Sequence, residues 1–216
     1  MTRPMLTKTL TRIGAATALV LIASPVLTGC STSKNKADTL YVARDVSTLY
    51  NSGKDRLDRG QYKLAAALFD EVERQHPYSV WATKAQIMTA YSNYQDNEYD
   101  EAILAAKRFI NLHPGHRDVG YAYYLVAISY YEQISDVGRD QKMTELAFDS
   151  LDEVVRRFPD SDYARDAVLK INLTRDHLAG KEMEIGRYYQ NNVQHIAAIN
   201  RFRIVIDKYQ TTSHVP

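Results

Sequence analysis

Cysteine occurs once in the 216 residues, at Cys30, and this scarcity excludes several kinds of protein together. A disulfide framework, a zinc ribbon and a catalytic thiol pair all need at least a second thiol. The sequence also lacks an excess of either charge, since it has 27 Lys and Arg residues and 26 Asp and Glu residues. A chain without a basic surplus has no electrostatic footprint for nucleic acid. We therefore predict that nucleic acid is not a partner.

Motifs that carry catalysis are also absent from the sequence. It has no nucleophile motif, phosphate-binding loop or dinucleotide fingerprint. The stretch His113-Pro114-Gly115-His116 lacks a nearby carboxylate pair, and residues 136–140 lack the distal glutamate of a calcium loop. His76 and His113 each precede a proline at equivalent positions, which indicates a structural role. We predict no enzyme, no metal and no cofactor.

Acidic residues are missing from positions 1–29, where three basic residues precede an apolar run from Ile13 to Leu27. The run contains Pro25 and is shorter than the roughly 20 apolar residues that a membrane-spanning helix needs. A basic start followed by a short apolar stretch is typical of a bacterial secretory signal. We therefore predict that residues 1–29 are a signal peptide.

The signal ends in Leu27-Thr28-Gly29-Cys30, which is similar to a lipobox, and the only cysteine of the chain stands at the position that such signals acylate. We predict that Cys30 is lipidated and anchors the protein to a bilayer, because acyl chains gain about 0.8 kcal/mol per buried methylene. Ser31 resembles the signal for sorting to the outer membrane. Residues 30–45 are polar and without periodicity, so they are predicted to be a tether.

The rest of the sequence repeats one pattern of apolar positions spaced three and four residues apart, which is typical of one face of a helix. In three of four copies a proline follows and forbids continuation. Each copy also has a small residue before its first alanine, twelve positions ahead in three copies and twenty in the third, which has the longer loop. The copies are Tyr62, Ala65, Phe69, Val72, His76, Pro77; Tyr99, Ala102, Ala106, Phe109, His113, Pro114; Thr144, Ala147, Leu151, Val154, Phe158, Pro159; and His195, Ala198, Phe202, Val205, Tyr209. The small residues are Gly53, Ala90, Ala127 and Gly186.

This combination resembles the tetratricopeptide repeat, a pair of helices in which the small residue lets the first helix lie close to the alanine of the second. The resemblance implies an all-α, right-handed superhelical solenoid of about four repeats over residues 46–216. The third repeat carries a longer loop near residues 135–141. The longer spacing before the fourth copy predicts an extra helix over 161–180, followed by helices over 182–190 and 195–209. We expect that the chain is a fragment or lacks its C-terminal capping helix.

First helices of such repeats line the concave surface of the solenoid, and tyrosine is frequent at the positions that face it. Two interpretations remain open for these residues: the rings pack between helices with their hydroxyls in water, or they form a groove for an extended peptide with aromatic side chains. The predicted groove residues are Tyr50, Lys54, Tyr91, Tyr94, Tyr121, Tyr124 and Tyr131, with Leu57, Ile87 and Ile128 beside them.

The sequence resembles the BamD family, the tetratricopeptide lipoproteins of the outer-membrane β-barrel assembly machinery. The resemblance rests on the lipobox, the polar tether and four short motifs. These are Tyr50-x-x-Gly53-x-x-x-Leu57, Gly60-Gln61-Tyr62, His76-Pro77-Tyr78-Ser79 and Phe158-Pro159-Asp160-Ser161.

The resemblance implies a lipid-anchored scaffold on the periplasmic face of the outer membrane of a Gram-negative bacterium. It implies that C-terminal repeats bind the barrel-forming partner BamA, with Asn200 and Arg201 at the contact, alongside other lipoproteins of the complex. N-terminal repeats would bind unfolded outer-membrane protein precursors. Two alternatives stay open: another tetratricopeptide lipoprotein scaffold, of pilus biogenesis or cell division, and a cell-wall enzyme or its activator.

Overall fold

The computed structural model describes residues 44–215, so the predicted signal peptide, Cys30 and nearly all of the predicted tether lie outside the described residues. All regular secondary structure in the described part is helical. None of its helices combines the length and the apolar character that crossing a membrane would need. The helices are α1 Val46–Asp58, α2 Tyr62–Gln75, α3 Val80–Gln95, α4 Tyr99–Leu112, α5 Val119–Glu132, α6 Lys142–Arg157, α7 Asp162–Asn191 and α8 His195–Lys208.

Each helix packs against the next one in the chain, and alternate helices of one set also touch: α1 with α3, α3 with α5 and α5 with α7. This is the tetratricopeptide arrangement, in which the first helices of successive repeats form the inner layer and the second helices form the outer layer. The predicted all-α solenoid is confirmed. The predicted loop insertion is confirmed as well, since α5 and α6 are separated by residues 133–141.

Helix beginnings follow the chemistry of the preceding residue. Asp45, Ser79 and Ser161 each accept a hydrogen bond from the backbone N–H three residues later, which caps the first helices α1, α3 and α7. The second helices α2, α4, α6 and α8 have no such side-chain cap. Helices α2, α4 and α8 follow turns of three residues, whereas α6 follows the longer loop over residues 133–141.

Three of the turns within repeats share one left-handed residue, at Gly60, Asn97 and Val193, with φ of 70°, 62° and 60°. In each turn the next residue donates its backbone N–H to a carbonyl five residues back, as in a Schellman motif. Glycine and asparagine suit that conformation, as the sequence predicted at the first two turns. Val193 does not, because a β-branched side chain is crowded at positive φ.

The core consists of the repeated apolar positions, and Phe69, Phe109, Leu151, Val154 and Val205 are almost fully buried. The small residues of the first helices were predicted to lie against the alanine of the second helix. Two of them lie instead against a phenylalanine ring of that helix. Gly53 lies against the ring of Phe69 and Gly186 against the ring of Phe202, four residues beyond the alanine of each copy. The ring is the largest group at the contact, so it determines how close the two helices come.

The sequence prediction of separate helices over 161–180 and 182–190 was wrong, because α7 runs without a break from Asp162 to Asn191. That prediction ends the first of the two helices at Gly180. A glycine within a helix costs only about 1 kcal/mol, and neither a proline nor a left-handed residue interrupts the hydrogen bonds there. Gly180 is instead a contact point, since Val137 of the long loop and His214 after α8 both lie against it.

Candidate functional site

All seven predicted groove residues lie on the inner helices α1, α3 and α5. Tyr50 of α1 is half-buried, and its ring centroid lies 5.3 Å from that of Phe69 and 4.8 Å from that of Trp81. Burial raises the pKa of its hydroxyl. Lys54, one turn further along the helix, is exposed. Tyr50 therefore contributes to the packing of the first repeat, apart from the other predicted tyrosines.

Four of the predicted residues, Tyr91 and Tyr94 on α3 and Tyr121 and Tyr124 on α5, come together on adjacent helices, and we call them the tyrosine cluster. All four are half-buried. Burial raises the pKa of Tyr121, and the nearby hydroxyls of Tyr91, Tyr163 and Tyr94 add to the effect. Burial also raises the pKa of Tyr94, and the negative charge of the neighbouring Glu132 raises it further. The structure thus brings together rings from two repeats into one aromatic surface.

Helix α7 completes this surface with residues that the sequence analysis did not include. The ring of Tyr163 stacks on Tyr124 at 5.3 Å and lies 5.4 Å from Tyr121. The Tyr124 hydroxyl donates to Asp166 Oδ2 at 2.5 Å, and Lys170 Nζ lies 2.8 Å from the same oxygen. Burial raises the pKa of Tyr124, and the hydrogen bond to Asp166 raises it further.

Asp166 is held in its charged form by these two donors. Burial alone would favour the neutral acid, but the hydrogen bonds from Lys170 and Tyr124 outweigh it, and the pKa of the carboxyl falls below its ordinary value of 3.8. Lys170 also lies over the ring of Tyr131, with Nζ 5.6 Å from the centroid. The inner surface therefore joins aromatic rings with one fixed carboxylate and one amine, which can offer both apolar contact and hydrogen bonds to a peptide.

Tyr131 lines a separate cavity of about 440 Å³ between α5 and α7. The Nε2 atom of His177 is buried there without a hydrogen-bond partner. The remaining lining residues are Glu132, Ile134, Leu173 and Thr174. Tyr131 therefore lines this cavity and is not part of the tyrosine cluster.

Arg201 and Asn200, the predicted partner contact, lie on α8 in different surroundings. Asn200 is exposed, whereas Arg201 Nη1 donates to both carboxylate oxygens of Glu182 on α7, at 3.0 and 3.3 Å. Arg201 thus ties the second helix of its repeat to the first. The guanidinium retains other donors for a partner, because only one of its nitrogens makes this contact.

The histidines before proline act as structural links. His76 Nε2 lies 2.8 Å from the backbone oxygen of Arg44, ahead of α1, and His113 Nε2 lies 2.8 Å from Gln86 Oε1 on α3. Within the described part of the chain, no three His, Cys, Asp or Glu side chains are grouped so that they could hold a metal ion.

The residues missed on α7 could have been found from the spacing of Pro and Ser. Ser161 follows Pro159 by two residues, as Ser79 follows Pro77 at the start of α3. Both serines cap the first helix of a repeat, so the helix facing α5 begins at residue 162. A helix predicted over 182–190 does not contain Tyr163, Asp166 or Lys170, which explains why they are absent from the predicted groove.

Comparison with known proteins identifies the family of this chain. The YfiO family, whose description is "Outer membrane lipoprotein", matches residues 42–216. The chain is 48% identical to "Outer membrane protein assembly factor BamD" of Rickettsia prowazekii, over 90% of this chain and 76% of that protein. The chain belongs to the BamD family. The resemblance noted in the sequence is thereby confirmed.

Other BamD proteins extend the comparison. The chain is 52% identical to BamD of Caulobacter vibrioides over 92% of this chain, and it spans 65% of the length of that relative. It is 34% identical to BamD of Neisseria gonorrhoeae over 88% of this chain. Among solved structures, MamA from Desulfovibrio magneticus RS-1 covers 77% of this chain at 17% identity and a TM-score of 0.43, which adds nothing to the fold already described. The names of these relatives describe them as outer-membrane protein assembly factors.

Proposed function

We propose that this chain is a non-enzymatic scaffold of the outer-membrane β-barrel assembly complex. A lipid on Cys30 holds it to the periplasmic face of the outer membrane. Its inner surface binds unfolded outer-membrane proteins, and its C-terminal repeats bind the BamA-like barrel component and the other lipoproteins of the complex. The names of its relatives support an assembly role, and they favour it over pilus, cell-division and cell-wall functions.

The observation that carries the substrate part of this proposal is the tyrosine cluster on α3 and α5. Its half-buried rings are held by the helices behind them, so little conformational entropy is lost when a peptide binds. Aromatic rings with hydroxyl groups provide apolar contact and hydrogen bonding together. An extended segment with alternating aromatic side chains, as found in the strands of barrel precursors, matches such a surface.

The structure suggests which tyrosines to change. Tyr124 is tied to Asp166 and Tyr163, so its removal would disturb the framework as well as the surface. Tyr91 and Tyr94 lie at the edge of the core of the second repeat. The variant Tyr91→Ala/Tyr94→Ala therefore tests binding with less damage to the fold.

The probe is a synthetic peptide with the alternating aromatic sequence of a barrel's last strand, and its affinity is measured by fluorescence anisotropy. We expect the double variant to bind it at least about tenfold more weakly, a loss of about 1.4 kcal/mol. Tyr78→Ala is the matched control, because Tyr78 is fully exposed in the turn before α3. Equal affinity of the double variant and the control, with both proteins folded by circular dichroism, would remove the peptide-groove assignment.

The anchor is tested separately. Replacement of Cys30 by serine should abolish incorporation of radioactive palmitate and move the protein from the outer-membrane fraction to the soluble periplasmic fraction. An unchanged distribution between fractions would show that Cys30 is not the anchor. Purification of the acylated chain from detergent-solubilised envelopes should bring a large barrel protein with periplasmic domains in equal amount. Recovery of pilus or division proteins instead would favour the alternative scaffold.

A further inference from the structure

The turns between repeats all lie along one edge of the solenoid. Successive helices reverse direction, so the inner helices α3, α5 and α7 all begin at this edge, directly after those turns. The start of α1 belongs to the same edge. Arg44, the first described residue, donates its backbone N–H to Gln75 Oε1 at 3.1 Å, and its carbonyl oxygen lies 2.8 Å from His76 Nε2 at the end of α2. The chain that leads from Cys30 therefore enters the fold at this edge, which we call the entry edge.

The proposed anchor keeps the entry edge close to a bilayer. Fourteen residues separate Cys30 from Arg44. Even a fully extended chain of that length reaches only about 50 Å. The first repeats therefore stay at a high local concentration of lipid, in about the millimolar range, at which contacts too weak to bind a membrane alone still form.

The three turns of the entry edge differ in chemistry. Each turn begins with a proline, so the first and third residues after the proline can be compared. They are apolar in the first turn, include a cation in the second and are acidic in the third: Tyr78 and Val80, Gly115 and Arg117, and Asp160 and Asp162. Tyr78 is fully exposed and Val80 is 75% exposed. The apolar turn and the basic turn are the two nearest to the point at which the chain enters the fold.

Val80 shares a cavity with two cationic side chains. The cavity measures about 460 Å³, and Lys84 and Arg117 line it together with Val80. Asp118 is the only carboxylate among the described residues that line it, and its contact with Arg117 is weak, because Nε lies 3.4 Å from Oδ1 and the arginine side chain is 88% exposed. Lys84 is exposed, with Nζ 5.0 Å from the ring centroid of Trp81. Both cations therefore retain N–H donors for an anion.

We propose that the first two turns of the entry edge contact the surface of a phospholipid bilayer. Tyr78 and Val80 lie among the headgroups, and Lys84 and Arg117 bind lipid phosphates. Tyrosine is enriched at this depth of a membrane, because its ring is apolar and its hydroxyl reaches water. Cations beside such a ring are attracted by the negative surface of a bilayer that contains anionic lipids. The acidic third turn is repelled by that surface, so the contact is confined to the first repeats.

Two features favour lipid over a soluble anion. The exposed apolar pair beside the cations matches the boundary between headgroups and acyl chains, whereas a free phosphate ion makes no use of it. The anchor also keeps lipid next to this edge at all times. The inference therefore rests on the lipid anchor of the proposed function, whereas the tyrosine cluster and the binding of unfolded substrates have no part in it.

The protein contains a single tryptophan, Trp81, so its fluorescence can be moved to a chosen position. The test variant is Trp81→Phe/Tyr78→Trp, and the control is Trp81→Phe/Glu98→Trp. Glu98 is exposed just beyond the other end of α3, a helix about 24 Å long. Each full-length acylated protein is incorporated into vesicles of phosphatidylethanolamine with about one quarter phosphatidylglycerol, whose acyl chains carry bromine.

Bromine quenches tryptophan only at short range, so it reports contact with lipid. Interfacial side chains lie about 5–10 Å into the boundary of headgroups and acyl chains, so we expect quenching at position 78 to be at least about threefold stronger than at position 98. Equal quenching at both positions of vesicle-bound protein, or none at either, would overturn this inference and leave the anchor intact. Protein that does not float with the vesicles would overturn both the inference and the Cys30 anchor.

A second comparison tests the cations. Added to the test variant, the changes Lys84→Gln/Arg117→Gln should reduce quenching to the level of position 98. The matched control is Arg59→Gln/Lys63→Gln, which removes the same charge from exposed residues near the opposite edge and should leave quenching unchanged. Inorganic phosphate, added at constant ionic strength, should not compete with the lipid. Equal quenching in the two charge variants, or a loss of quenching with phosphate, would contradict the proposal.

Discussion

Gly186 of α7 faces Phe202 of α8 so closely that a β-carbon on the glycine would lie 2.3 Å from Cε1 of the ring. Gly53 stands in the same relation to Phe69, where the distance would be 2.8 Å. In the two middle repeats, Ala90 and Ala127 stand at the positions of the glycines, and they share their core clusters with Ala106 and Leu151, which stand at the positions of the rings. In these repeats, glycine on the first helix is paired with a large ring on the second, and alanine on the first helix with a smaller side chain on the second.

This relationship predicts that Gly186→Ala is destabilising. Alanine gains about 1 kcal/mol of helix propensity over glycine, but overpacking a core contact costs about 1–3 kcal/mol. A separation of 2.3 Å forces the ring or the helix to move, so we expect a net loss of stability in urea unfolding. Gly180→Ala is the matched control, because its β-carbon would meet only the ends of the His214 and Val137 side chains, at 3.1 and 3.7 Å.

The same contact can be tested for compensation. Phe202→Leu in the Gly186→Ala background recreates the Ala127 and Leu151 combination of the third repeat. The double variant should be more stable than the sum of the two single changes by about 0.5–3 kcal/mol, because the substituted residues touch. Additive effects would show that the size of this pair does not determine the helix separation.

Val193 gives a prediction of the opposite sign. Its φ of 60° is left-handed, a conformation that costs a non-glycine residue about 1–2 kcal/mol. The side chain is 74% exposed, so its removal sacrifices little packing. Val193→Gly should raise the free energy of unfolding by about 1 kcal/mol, as measured by urea unfolding. Asn97→Val, which places the same strain in the second repeat, should lower it by a similar amount.

Much of this fold follows from short-range chemistry in the sequence. Apolar spacing and proline locate α2, α4 and α6, and the serine caps locate α3 and α7. The continuation of α7 beyond Gly180 could not be predicted in this way. Glycine alone suggests that a helix ends, whereas here other parts of the chain pack on the glycine within the helix. Val137 and His214 pack on that glycine, and they lie 43 and 34 positions away in the sequence. Contacts of this range are not encoded in helix periodicity.

The inner surface shows the same division. The sequence placed Tyr91, Tyr94, Tyr121 and Tyr124 on the concave side, and the structure brings them together on α3 and α5. It did not predict that Tyr50 packs with Trp81, since an aromatic contact between different repeats depends on how the helices cross. Asp166, the hydrogen-bond partner of Tyr124, was also not predicted, because it lies on α7, the helix whose boundaries were predicted wrongly.

Asp166 predicts how stability responds to acid. Its pKa in the folded protein is below the ordinary value of 3.8. A carboxyl with a depressed folded pKa stabilises the fold above the unfolded pKa, and this contribution is lost as the pH falls through the folded pKa. Asp166→Asn should therefore lower stability at neutral pH and flatten its decline below about pH 4.

Urea unfolding between pH 3 and pH 7 measures this slope. Asp160→Asn serves as the control, since Asp160 is an exposed carboxyl in the loop before α7. A decline as steep in Asp166→Asn as in the unchanged protein would show that the links to Tyr124 and Lys170 do not hold the carboxylate.

Arg201 allows the structural and partner roles of one side chain to be separated. Its side chain is 38% exposed and that of Glu182 is 20% exposed, so the loss of the arginine leaves a partly buried carboxylate without its main donor. Arg201→Gln should lower the stability of the isolated protein by about 1 kcal/mol, and Glu182→Gln should have a smaller effect because it removes the charge that needs a donor. Thermal unfolding measures both.

Binding to the periplasmic domains of the barrel partner then distinguishes the two roles. If Arg201 only holds α8 against α7, both variants loosen the same contact and both should bind more weakly. If the guanidinium also contacts the partner, Glu182→Gln releases it from its internal carboxylate, and affinity should be unchanged or higher, while Arg201→Gln should lose about tenfold. We expect the second pattern, because the single internal contact leaves most donors of Arg201 available. Equal loss in both variants would restrict Arg201 to packing and remove it from the proposed interface.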